Sequence, residues 1–146
     1  MIASQQGLLA DFARGILSYN STTITFDDPD HGPHDPDGSF GHRSAPYPGV
    51  VIEVSYSQKR KDLQRLADDY ILGSSSSIRV LVGLDIEYNG RSATLSVWRP
   101  QFVIDAGQTV LQVEQTVIDE VCFAIFAPYT LTMIRYSAMV VRMSNH

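Results

Sequence analysis

The chain has 146 residues, 44% hydrophobic and 18% charged, which suits one soluble domain with a real core and excludes a disordered segment. Its formal net charge of -5 excludes non-specific coating of nucleic acid, which needs positive charge against phosphate, although metal-binding carboxylates in such a total can mask a local basic patch. The single cysteine, Cys122, excludes an intrachain disulfide framework.

In chain order, the first segment has no basic region before its short apolar stretch, which carries Asp11 and Arg14. It does not read as a signal peptide, and an intracellular protein, nuclear or cytoplasmic, is expected. Leu8, Leu9, Phe12, Ile16 and Leu17 recur at helical spacing with Ser4 placed as an N-cap, predicting an opening amphipathic helix. Thr22 to Phe26 is β-branched and aromatic, so it reads as a short strand. The run that follows, DDPDHGPHDPDG, holds too many prolines and glycines for regular structure and reads as a loop. Gly49 to Ser55 (GVVIEVS) is the clearest strand, apolar on both faces as for a strand covered on both sides. Leu63, Leu66, Ala67, Tyr70 and Ile71 then follow a helical stripe, with Gly73 as a stop and Ser74 to Ser77 as a short linker. Ile78 to Tyr88 and Arg91 to Trp98 read as strands joined by Asn89-Gly90, a type I′ hairpin signal. Val110 to Ile118 alternates as a strand. Val121 to Val141 is apolar without clean periodicity, and Pro128 and Arg135 make it a poor membrane-spanning helix. The expectation is an α/β domain over residues 1–100 with a C-terminal extension over 101–146.

Glu53 stands out because it lies inside VVIEVS, where a buried carboxylate costs several kcal/mol unless a cation or strong donors offset it. Strand alternation places Val51, Glu53 and Ser55 on one face. Lys59, Arg60 and Lys61 fall in the expected first turn of the following helix, where positive charge opposes the helix dipole unless an anion docks there. Arg65 extends this patch, so four of the 11 basic residues cluster in it. Lys59 and Arg60 flank the apolar face, and Lys59 can reach back toward Glu53. Asp37 precedes the strand in HDPDGSF, and with Glu53 it could hold a divalent cation by oxygen ligation.

Plainer explanations compete for several of these residues. Asp37 before Gly38 is ordinary turn chemistry. Ser55 and Gln58 satisfy a capping box, and Glu53 could pair with Arg60 or Lys59 as a structural ion pair. His31, His34 and His42 with Asp27, Asp28, Asp30 and Asp35 could suggest a transition-metal site, but their spacing matches no zinc pattern and a solvated, mobile acidic loop is the better expectation. Trp98 and Tyr88 read as sheet packing.

The run PDGSF, a short loop, then PGVVIEVSYSQ and an amphipathic helix resembles the PD-(D/E)XK, or restriction-endonuclease-like, nuclease superfamily. It looks closest to fungal members with an E-V-x-x-S-Q run and a later strand ending in W-R-P. The resemblance covers residues 35–100. It implies an αβββαβ core with a mixed central sheet and flanking helices, metal-dependent hydrolysis of DNA phosphodiesters, and Mg²⁺ or Mn²⁺ as cofactor. It also implies DNA as a partner, no membrane, and room for a homodimer. Under it the two metal-binding acids map onto Asp37 and Glu53, and the usual lysine two residues after the glutamate maps onto Ser55, a departure that removes a charge. Lys59 then becomes the candidate to assist the attacking water, with Lys61 second. Gln58 would contact metal-bound water or phosphate, and Arg60, Lys61 and Ser55 would line the phosphate. A catalytically inactive member that binds protein or nucleic acid is the alternative.

Overall fold

A computed structural model describes residues 5–56, 62–87, 92–126 and 130–135. The chain runs α1 (Gln5–Arg14), β1 (Ile16–Ser18), β2 (Gly38–His42), β3 (Val50–Tyr56), α2 (Leu63–Gly73), β4 (Val80–Ile86), β5 (Ser92–Asp105), β6 (Gln108–Phe126) and β7 (Thr130–Arg135). The seven strands form one sheet in chain order. Every neighbouring pair is antiparallel except β3 and β4, which run parallel in register from Val50↔Val80 to Tyr56↔Ile86. A parallel pair cannot be joined by a tight turn, and α2 supplies the crossover. The fold is therefore α/β with a mixed sheet.

The core lies between one face of the sheet and α2. Ala67, Tyr70 and Ile71 of the helix are buried with Val51 of β3, Leu81 of β4 and Trp98 of β5, and with Ile24 and Ile78 from the connections. The β3 burial pattern alternates, with Val51, Glu53 and Ser55 buried and Val50, Ile52 and Val54 only half-buried. One face of this strand is sealed, not both as its composition suggests. Trp98 packs in the core, and its indole N–H donates to Gln64 Oε1 at 2.8 Å.

Several local expectations change. The opening helix stops at Arg14, and Ile16 and Leu17 belong to β1. α1 buries none of its residues, so its apolar stripe is not packed into the core. Thr22 to Phe26 forms no strand. Ile24 makes one isolated bridge with His34, because the proline-broken segment beyond offers no run of backbone donors to extend it. Asp62, not Ser55 with Gln58, caps α2: its carboxylate accepts from Arg65 N at 3.0 Å, while Ser55 sits in mid-strand. The described helix thus begins at Leu63, beyond the basic triplet. At the other end Ser75 and Ser76, with φ of 50° and 67°, turn the chain in place of Gly73. The buried Ser74 hydroxyl accepts from Ile78 N at 2.9 Å, so the serine run is a structured entry to β4, not a linker. The Asn89-Gly90 turn lies outside the described residues, although the strands it joins pair antiparallel as expected.

Residue 100, the sequence-based limit of the core, falls within β5. The β5–β6 pair continues from there to a turn at Ala106–Gly107, where both residues have positive φ. Val121 to Phe126 pairs with Thr130 to Arg135 as a hairpin. Among the described residues no helix is long and apolar enough to cross a membrane.

Gly83 of β4 sits under the helix. A Cβ there would come within 2.7 Å of Trp98 Cζ3 and 3.0 Å of Leu63 Cδ1. Gly83→Ala is therefore expected to overpack the α2–sheet interface and destabilise the fold by about 1–3 kcal/mol, measurable by urea denaturation.

Candidate functional site

Glu53 is 2% exposed and lies under α2. Tyr70, buried on the facing side of the helix, donates its hydroxyl to Glu53 Oε1 at 2.7 Å. Strand alternation and helical periodicity together produce this pair: Glu53 faces the helix because Val51 does, and Tyr70 faces the sheet because Ala67 and Ile71 do. Burial pushes the Tyr70 hydroxyl far above the ordinary tyrosine range. The bond to Glu53, its charge, and the charges of Asp37 and Asp35 push the same way. Three carboxylates therefore act on one hydroxyl over the middle of β3.

Asp37 reaches this place through the way β2 ends. The β2–β3 ladder begins at Gly38↔Ile52, and continuing it would set Pro36 opposite Val54. A proline has no N–H for a ladder, and Pro36 is fully buried. The Asp37 carboxylate takes over, with Oδ2 accepting from Val54 N at 2.7 Å. Asp37 itself is exposed. Its carboxylate is thus fixed against the residue after Glu53, at the edge of solvent, and it does more than shape a turn.

The loop before Asp37 is tied down as well. Asp69, next to Tyr70 on α2, sits between two imidazoles: His31 Nδ1 lies 3.0 Å from Oδ1 and His34 Nε2 lies 2.9 Å from Oδ2. The His34 ring also packs 5.3 Å from that of Tyr70, and Phe26 packs edge-on to Tyr70, His31 and His34. The expectation of a solvated, mobile acidic loop is corrected here. Asp27, Asp28, Asp30 and Asp35 are exposed, but both histidines are docked on the helix, because α2 presents them a carboxylate beside an aromatic surface. Burial alone would raise the Asp69 carboxyl. The hydrogen bonds from His31 and His34, and the charge of those rings when protonated, outweigh it and hold Asp69 below its ordinary value.

Of the residues singled out in the sequence, Asp37, Glu53 and Ser55 come together. Ser55 is buried on the same face as Glu53 and stands in register with Asp85 of β4. Gln58, Lys59, Arg60 and Lys61 lie outside the described residues. Sequence reasoning missed Tyr70, Asp69 and the paired role of His31 and His34. The one signal for Tyr70 is a hydroxyl in an otherwise aliphatic stripe, and nothing in the spacing links Asp69 to the histidines. Among the described residues no group of three or more His, Cys, Asp or Glu side chains is arranged to hold a metal ion.

Two substitutions test this construction. Tyr70→Phe should cost about 1.5–3 kcal/mol, the range for a hydrogen bond to a charged group. A tyrosine held high when folded stabilises below its ordinary range and loses that contribution as pH rises through its folded value. The gap between wild type and Tyr70→Phe should therefore persist through neutral pH and close only in strong alkali, as read by urea denaturation at each pH. Asp69→Asn should undock the loop, so that Val54 N–H, which Asp37 accepts, exchanges with solvent about tenfold faster by NMR. A carboxyl held low when folded stabilises above its ordinary range and loses that as pH falls through its folded value. The stability gap between wild type and Asp69→Asn should accordingly close in acid.

No family model matches the chain, and no curated protein or solved structure matches it either.

Proposed function

We propose that this chain is a nuclease-like domain of the PD-(D/E)XK type that hydrolyses DNA phosphodiester bonds with Mg²⁺ or Mn²⁺. The observation that carries this reading is the placement of Glu53 and Asp37: a carboxylate sealed in mid-strand, with a second one held on the backbone of the very next residue. A purely structural role would be easier to fill with an apolar side chain, because a buried charge is expensive and a shape-matched hydrophobe is often as stable. The order helix, three strands, helix, strand, with β3 and β4 parallel, also agrees with the αβββαβ core that the motif resemblance implies.

The donor set suits the proposed ion. Asp37 and Glu53 offer hard oxygen ligands without thiol or imidazole, the preference of Mg²⁺ and Mn²⁺. When bound, such an ion lowers the pKa of a water and neutralises charge on the phosphate. The protein's own contribution is orientation. Tyr70 fixes one Glu53 oxygen, Val54 N–H fixes Asp37, and α2 covers the inner side. Ser55 occupies the position of the usual lysine and cannot supply its charge. In this reading Lys59 assists the attacking water, Gln58 contacts that water or the phosphate, and Arg60 and Lys61 hold phosphate.

Ser55 also favours a second reading, a domain that has lost chemistry and binds protein or nucleic acid. Its side chain is buried beside β4, so the lysine site on β3 is filled by a small neutral group. Thermal melts separate the two readings. A metal site predicts that saturating Mn²⁺ raises the wild-type melting temperature by on the order of 5 °C. Glu53→Gln and Asp37→Asn should abolish the rise, and wild type alone should nick plasmid DNA in Mn²⁺ or Mg²⁺. A flat metal response, with Glu53→Gln melting above wild type, would select the binding module.

A further inference from the structure

A concavity lies on the same face of the sheet as Glu53, on the β2 side. It measures about 270 Å³, and its walls come from Tyr19 and Thr22 to Thr25 after β1, from Ser39 of β2 and from the Ala45–Pro48 turn before β3. Ser39 pairs with Val51 and so faces the same way as Val51 and Glu53. It is two residues beyond Asp37 on β2, roughly 7 Å along the strand.

The lining carries no charged side chain. An anion would find no charge partner in this lining, which favours a neutral occupant. What it does carry is hydroxyls with committed protons. Thr22 Oγ1 donates to Tyr19 O at 2.6 Å, Thr23 Oγ1 to Asp35 Oδ1 at 2.6 Å, and Ser39 Oγ to the carbonyl of Asn20 at 3.2 Å. With those protons directed into the protein, the hydroxyls have acceptor lone pairs left to offer. The complementary ligand is neutral, with N–H donors for these hydroxyls and acceptors for the phenol groups of Tyr19 and Tyr47.

The walls are also packed against the fold. The Tyr47 ring stacks on Phe26 at 6.0 Å, 25° from parallel. Gly41 lets the turn close on β2: a Cβ there would stand 2.7 Å from Pro48 Cα and 3.2 Å from Tyr19 Cε2. Two tyrosines and two prolines thus frame a slot just below the roughly 300–1,000 Å³ typical of drug-sized ligands, a size for one flat ring. Bases stack on aromatic side chains of this kind.

We infer that this hydroxyl-lined slot receives a single unpaired nucleobase, that of a nucleotide flanking the phosphate at Asp37 and Glu53. The inference rests on the nuclease-like reading for its choice of a nucleotide. It predicts a preference for unstacked or single-stranded DNA, since a base stacked inside a duplex is not available to the slot. Thr23 couples the two places, because its side chain lines the slot while its hydroxyl holds Asp35, one of the carboxylates acting on Tyr70.

The test is a metal-free NMR titration of the full chain with each of the four deoxynucleosides, and with methyl glucoside as a neutral hydroxyl-rich control. The expected result is a saturable shift of amides at Tyr19, Thr22 to Thr25, Ser39 and Tyr47 with at least one nucleoside and none with the glucoside. Ala45→Trp, at the exposed rim, should block the slot and weaken that binding at least tenfold while leaving the melting temperature within about 2 °C. Tyr47→Leu should weaken it about tenfold through lost stacking. No saturable shift with any nucleoside, equal shifts with the glucoside, or shifts unaffected by Ala45→Trp would each overturn the inference. A Mn²⁺ response without nucleoside binding sinks the slot and spares the metal site. Nucleoside binding without a Mn²⁺ response does the reverse.

Discussion

The architecture around β3 is governed by the need to keep a carboxylate under a helix. Glu53 is sealed between the sheet and α2, where an unaccompanied charge would cost several kcal/mol. Tyr70 meets part of that need from above, and its own hydroxyl is held protonated by burial and by the negative charge around it. The helix therefore cannot slide along the sheet without breaking this bond, and the rest of its apolar stripe is registered against Val51, Leu81 and Trp98 accordingly.

A second consequence is how the loop between β1 and β2 is held. Two adjacent helix residues look in different directions: Tyr70 toward the strand, Asp69 toward the loop. Asp69 takes His31 and His34, and three residues after His34 the chain arrives at Asp37, which closes on Val54 of the strand. Helix, loop and strand thus form a closed circuit of charge-assisted contacts around the middle of β3. Ordering a proline-rich segment of this length is entropically costly, and this circuit, with the aromatic packing of Phe26, offsets it. The same ordering shapes the hydroxyl-lined slot, because Thr23 and Asp35 belong to the segment that is held.

The proposed chemistry and the proposed base slot share this framework. Both lie on the α2 side of the sheet, separated by two residues of β2, and both depend on how the segment from Tyr19 to Asp37 is docked. Ser55 marks the tension in the picture: its small neutral side chain fits the packing beside β4 and brings no positive charge to the carboxylates.

The sequence by itself determined the α/β class, the position of β3, the helix ending at Gly73, and the placing of Val51, Glu53 and Ser55 on one face. These are legible because they are local. Periodicity of two or 3.6 decides which side chains share a face, and a charge inside an apolar run declares itself. Tertiary structure alone decided the rest. Whether Ile16 and Leu17 continued a helix or entered a strand depended on β2 being present as a partner, and Thr22 to Phe26 failed as a strand for want of one. The grip of Asp69 on His31 and His34 spans 35 to 38 residues, and Tyr70 finds Glu53 across 17. No spacing rule connects residues that far apart; only the packing of α2 across the sheet brings them within hydrogen-bond distance.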